Sequence, residues 1–133
     1  MSQIKITTMS QKTIKIIGYV LTAILTFLFG MSAFMKLTQD PTALEQAKGI
    51  GFDAQTYLAI GVIEIISLLL FIIPRTGLLG SLLLIAYMGG AIVTHLQHQQ
   101  PIAMAVGVQV LLWITVAVRF PEVHKRLFSS SAV

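Results

Sequence analysis

The chain has 133 residues, of which 56% are apolar and only 11% charged, with a formal net charge of +4 and no cysteine. A soluble domain carries about a quarter charged residues, so this composition excludes an ordinary water-soluble fold. The missing cysteine excludes disulfides, dithiol shuttling and thiolate metal sites within this chain.

The charges are also segregated. Ile16 to Met35 contains none, Thr56 to Ile73 is interrupted only by Glu64, Thr76 to Leu96 has only His95, and Pro101 to Val118 has none. A membrane span needs ~20 apolar residues, with ~17 tolerated. The chain is therefore expected to be one all-α transmembrane domain over residues 1–133, with spans at about 14–36, 55–73, 77–96 and 101–119. The first run follows Lys5, Lys12 and Lys15 like the core of a signal peptide. It exceeds the ~7–15 residues of such a core and ends at no small-x-small site, so it is expected to be retained.

Connections follow in chain order. Asp40-Pro41 has the form of a helix cap with proline at the first helical position, giving a short interfacial helix near 41–48 that ends at Gly49. Leu44 and Ala47 form its apolar side. Asp53 caps the second span and Phe52 can staple onto Tyr57. Pro74-Arg75-Thr76-Gly77 is a tight turn, which makes spans two and three antiparallel neighbours. His95 to Gln100 links spans three and four, with Pro101 placed to start the fourth helix. The tail RFPEVHKRLF mixes basic and apolar residues and is expected to lie on the membrane surface. The result is an up-down four-helix bundle with a short outer helix.

Lys5, Lys12, Lys15, Arg75, Arg119, Lys125 and Arg126 fall on one side of such a bundle, against Lys36 and Lys48 on the other. The positive-inside rule puts both termini in the cytoplasm, in a multi-pass inner-membrane protein of bacterial type. Positive charge at a membrane points to anionic lipid headgroups and not to nucleic acid. Small residues recur at four-residue spacing in Thr22/Thr26/Gly30, Ala86/Gly90/Thr94 and Ala103/Gly107. Such stripes suit close helix packing, either within the bundle or in a homodimer.

Polar side chains converge on one depth. At ~1.5 Å per residue, Glu64, Tyr87 and Gln109 each lie about 12–13 Å below the outer ends of their spans. Helical spacing puts Tyr57, Gly61, Glu64 and Ser67 on one face, and Gly80, Leu84, Tyr87, Ala91 and His95 on another. If these faces meet, Tyr87 donates to Glu64, and Gln109 with Trp113 closes the ring. An intramembrane carboxylate costs about 2.5–3.5 kcal/mol and is functional by default. Glu64, Tyr87 and Gln109 are thus candidates for a proton relay or pocket. Structural glue is the alternative, since interhelical polar bonds average ~0.6 kcal/mol. Lys36 and His95 are placed above them as a mouth attracting an anion. His95 and His98 have metal-like spacing without a third ligand, so no metal site is expected.

Ser32-Ala33-Phe34-Met35-Lys36-Leu37, Gly51-Phe52, Gly61-Val62-Ile63-Glu64, Ile73-Pro74-Arg75-Thr76 and the run AYMGGAIVTHL from Ala86 to Leu96 resemble the DoxX-like membrane proteins. The resemblance covers about residues 15–120 and implies a four-helix membrane bundle. It marks Lys36, Glu64 and His95 as recurring polar positions. It also implies a membrane subunit of a redox complex linked to quinone or sulfur compounds, in which quinone is the candidate cofactor and redox subunits are the candidate partners. A small proton-coupled transporter and a non-catalytic membrane scaffold are the alternatives.

Overall fold

A computed structural model describes residues 10–128; Lys5, used above in the charge asymmetry, lies outside them. Among the described residues there are six helices and no strand: α1 (Gln11–Leu37), α2 (Pro41–Gly49), α3 (Ala54–Ile72), α4 (Gly77–Gln97), α5 (Ala103–Arg119) and α6 (Pro121–Phe128).

Local chemistry fixes the ends. Ser10 accepts from the Thr13 amide, Asp40 from Thr42 and Asp53 from Thr56, each satisfying an otherwise orphaned N–H of the first turn. The bond from the Thr56 amide also holds the exposed Asp53 carboxyl below its ordinary value. The cap's contribution is therefore present at neutral pH and is lost as pH falls through that lowered value. Pro41 occupies the start of α2, and Phe52 stacks on Tyr57 with ring centroids 6.3 Å apart. On α2 the buried pair is Ala43 and Ala47, while Leu44 is only half-buried. These alanines pack with Ile50 and Tyr57 and seat α2 on the start of α3.

Helices α1 and α4 end alike. The Asp40 amide donates to Met35 O (3.0 Å) and the Gln100 amide to His95 O (2.8 Å), with Gln39 and Gln99 left-handed between them at φ 53° and 56°. These are Schellman turns built on glutamine where glycine is the residue without steric penalty. Gln39→Gly and Gln99→Gly are each expected to raise stability by about 0.5–1 kcal/mol, relieving a penalty of about 1–2 kcal/mol partly offset by greater unfolded-state entropy. A thermal unfolding midpoint in detergent that falls in both variants would contradict this. The α4–α5 turn is not complete until Ile102, whose carbonyl accepts from Val106, so α5 begins at Ala103 and Pro101 lies just ahead of it.

Helix α1 lies against α3 and α5, and α4 also lies against α3 and α5, closing a ring of four. Its centre is Leu25, Phe29, Leu68, Phe71, Leu84, Met88 and Leu112. The closest approach is at Gly80 of α4, where any Cβ would collide with the backbone of Leu70 and Phe71. At the same end Arg119 of α5 donates to Ile72 O (3.3 Å) and sits over the rings of Phe71 and Phe120 at 4.9 and 5.1 Å. A Cβ on Gly77 would meet that guanidinium at 2.7 Å. One arginine thus joins the end of α3, the start of α4 and the end of α5.

The small-residue stripes do not mark such contacts uniformly. A Cβ on Gly30 would touch Leu68, but one on Gly90 or Gly107 would meet nothing within 4 Å. Thr22, Thr26 and Thr94 turn their hydroxyls onto carbonyls of their own helices.

The exterior is apolar. Tyr19, Phe27, Val93 and Met104 are more than 60% exposed, among many other large hydrophobic side chains. A surface of this kind is untenable in water and natural against lipid tails. By length and hydropathy α1, α3 and α4 each suffice to cross a membrane. The 17-residue α5 is bent by 108° from α6, and the number of candidate spans is three, or four with this bent pair counted as one. Helix α6 carries Glu122 in its first turn and Lys125 and Arg126 in its last, matching the helix dipole.

Candidate functional site

Glu64 faces into the ring of helices from the middle of α3 and is 1% exposed. Its Oε2 is crowded with donors. Lys36 Nζ lies at 3.0 Å, Tyr87 Oη donates at 2.9 Å and Ser32 Oγ at 3.3 Å. Lys36 also donates to Ser32 Oγ, and its ammonium lies 5.1 Å from the centre of the Tyr57 ring. Helical periodicity explains the convergence. Ser32 and Lys36 are one turn apart on α1, and Tyr57, Gly61 and Glu64 share a face of α3. Gly61 lets the two faces touch, because a Cβ there would lie 2.7 Å from Lys36 Cβ.

The cluster is electrically neutral and largely satisfied on one side only. Glu64 Oε1, the second carboxylate oxygen, is buried without a hydrogen-bond partner. A buried charge-bearing acceptor with an unused lone pair is expensive in a low-dielectric interior. The group can therefore accept one further donor, while Lys36 keeps a third N–H for an acceptor and Tyr87, whose only O–H is given to Glu64, can accept through Oη.

This cluster lies in the wall of a cavity of about 940 Å³ bounded by α1, α2, α3, α4 and α5. Ser32, Lys36, Glu64 and Tyr87 form one polar part of its wall. Leu28, Phe29 and Met88 supply apolar walls, and Thr42, Gln46 and His95 line it near α2. Tyr87 is further fixed by an edge-on contact with Phe29, centroids 6.3 Å apart at 74°.

The candidate residues are distributed unevenly. Glu64, Tyr87 and Lys36 form one cluster, with Lys36 at the carboxylate itself and not above it at a mouth. Gln109 does not join them: its Nε2 donates to Ile85 O at 3.1 Å across the α4–α5 contact, and its Oε1 has no partner. Trp113 lies outward, 40% exposed. The ring therefore does not close through α5, because the Gln109 amide is spent on the Ile85 carbonyl. His95 lines the cavity but its Nδ1 is engaged with Ala91 O at 2.7 Å, and His98 Nδ1 with Thr94 O at 2.9 Å. No group of three potential metal ligands occurs among the described residues. Tyr57, which offers its ring face to Lys36, was not legible as a site residue. Its only signal was the shared face with Glu64, which a core tyrosine would also show.

An apolar-surfaced helical ring holding a buried ion pair defines an integral membrane protein. The profile of the DoxX-like family matches residues 20–118, and the chain belongs to that family. No curated protein and no solved structure matches it.

Proposed function

We propose that the chain is a membrane subunit of a redox assembly and that its cavity binds a quinone against Lys36, Glu64 and Tyr87. The observation that carries this reading is the split character of the Glu64 carboxylate. One oxygen is saturated by Lys36, Tyr87 and Ser32, and the other is buried with no partner beside a cavity. A quinone carbonyl accepts hydrogen bonds, and the hydroxyl of the reduced quinol donates them. The third N–H of Lys36 suits the oxidised head; Glu64 Oε1 and Tyr87 Oη, whose own proton is held by Glu64, suit the hydroxyls of the reduced one.

Reduction consumes two electrons and two protons per quinone. A partner subunit's redox centre supplies the electrons, and Glu64 with Tyr87 relays protons from the polar side of the cavity. His95 and Gln46 line that side. The reading takes the helices as an up-down bundle, with α2 outside and both termini in the cytoplasm of a bacterial inner membrane, because the Lys and Arg residues are concentrated beside the other end. The proton-coupled transporter is less well supported, since the residues lining the cavity reach only the end of the bundle that carries α2.

The test is equilibrium binding of a quinol analogue, whose hydroxyl can donate to Tyr87 Oη, to the purified chain in nanodiscs. Stoichiometric binding is expected, weakened about tenfold or more by Tyr87→Phe, the loss of one hydrogen bond worth about 1.4 kcal/mol. Absence of binding to the wild-type chain, or equal binding by Tyr87→Phe, overturns the reading.

A further inference from the structure

The cavity has two kinds of rim, and this bears on how a ligand reaches Glu64. Beneath α2 its edge is polar, formed by Thr42, Glu45 and Gln46 with His95 and Gln100 opposite. Between α1 and α5 its edge is wholly apolar. Leu28 on α1 and Met104 on α5 both line the cavity, yet are 42% and 83% exposed. A side chain that lines a cavity and also faces the exterior stands at an opening. In a chain whose exterior is covered by lipid, this opening faces acyl chains.

Packing accounts for the slot. At the end near the termini, α1 and α5 touch: a Cβ on Gly18 would lie 3.7 Å from Val118. Toward α2, Leu28 of α1 and Ala105 and Val108 of α5 all line the cavity. Gly107 of α5 and Gly90 of α4 have nothing within 4 Å of a Cβ position. Helix α2 packs on α1 and α3 but makes no contact with α5, so it does not cap the slot.

We infer that the cavity opens sideways between α1 and α5 into the leaflet on the α2 side, and that its ligand is an amphiphile whose hydrocarbon tail leaves through this portal while its polar head rests on Lys36, Glu64 and Tyr87. This deepens the reading given above, selecting a tailed lipophile over a small water-soluble oxyanion. A tail in the slot covers apolar side chains that a soluble anion would leave facing the cavity. A soluble anion held by Lys36 would also lie beside Glu64, whose unpaired oxygen repels it. The portal and the α2 rim have separate tasks: the first passes the tail, and the second admits water and protons.

The absence of native cysteine permits a direct test without any quinone. Gly90→Cys places one thiol on the cavity wall, at an exposed position with free space for it. In nanodiscs of zwitterionic lipid, its labelling is followed with a long-chain alkyl maleimide dissolved in the bilayer and with a small water-soluble maleimide. Adding Leu28→Trp or Ala105→Trp is expected to slow the alkyl reagent about tenfold and leave the soluble one within twofold. The unchanged soluble rate also certifies a folded cavity. An unchanged alkyl rate in both tryptophan variants overturns the portal, as does equal slowing of both reagents, which would mean a single polar route. Because no quinone is used, this outcome stands apart from the binding test of the redox reading.

Discussion

Lys36→Met is expected to destabilise the protein by about 3–5 kcal/mol, because it leaves the Glu64 carboxylate buried without its counter-charge. Glu64→Leu should be comparably severe, stranding an ammonium that is itself only 7% exposed. The double variant Lys36→Met/Glu64→Leu, which removes both charges, is expected to recover most of that loss. Replacing a buried ion pair by apolar side chains of similar volume is often neutral or stabilising by about 1–4 kcal/mol. Unfolding in detergent of the four members of this cycle measures the coupling directly. Additive losses would contradict the pairing. The same cycle separates structure from function: a double variant that is stable but binds no quinone shows that the pair is retained for the ligand, whereas one that is stable and binds normally removes the redox reading's central residue.

Gly80→Leu is expected to prevent α3 and α4 from packing at all. Even a Cβ at this position falls onto the backbone of Leu70 and Phe71, which has no rotamer to yield. Overpacking in a close-packed interior typically costs about 1–3 kcal/mol and more where backbone must move. Gly80→Ala should therefore already destabilise, although alanine favours helix over glycine by about 1 kcal/mol. Gly89→Ala is the matched control, with nothing within 4 Å of its Cβ position, and should be neutral or mildly stabilising. The comparison is read as the fraction of monodisperse protein after extraction and as the unfolding midpoint. Equal behaviour of Gly80→Ala and Gly89→Ala would contradict the contact.

Much of the fold was legible because membrane insertion writes it into composition. Charge-free runs give the helices, and the Asp40, Asp53, Phe52 and Pro74 signals give their ends. The site was legible only along helices. Periodicity brought Tyr57, Gly61 and Glu64 to one face and Tyr87 to another, but it carries no information on which face meets which. Lys36 was read as a mouth residue because lysines near span ends usually extend toward water. Here Ser32 one turn earlier and the Tyr57 ring together draw it inward. Gln109 matched Glu64 in depth without matching it in azimuth, and depth alone cannot distinguish the two cases. Arg119 shows the same limit: as a flanking charge it informed orientation, while its bond to Ile72 O depends on how α5 ends beside α3.

The Arg119 junction has a mechanical consequence. One end of the bundle is pinned by the guanidinium, by the Gly80 contact and by the meeting of Gly18 with Val118. Toward the other end, Gly90 and Gly107 have open space around them. Helices α1, α3 and α4 are joined again in that half by Lys36, Glu64 and Tyr87, so of the tines rising from this common handle α5 is the one outside the cluster. A shift of α5 alone would change the width of the slot between α1 and α5 while the handle and the cluster keep their shape. A tail can thread between the tines without the fold coming apart.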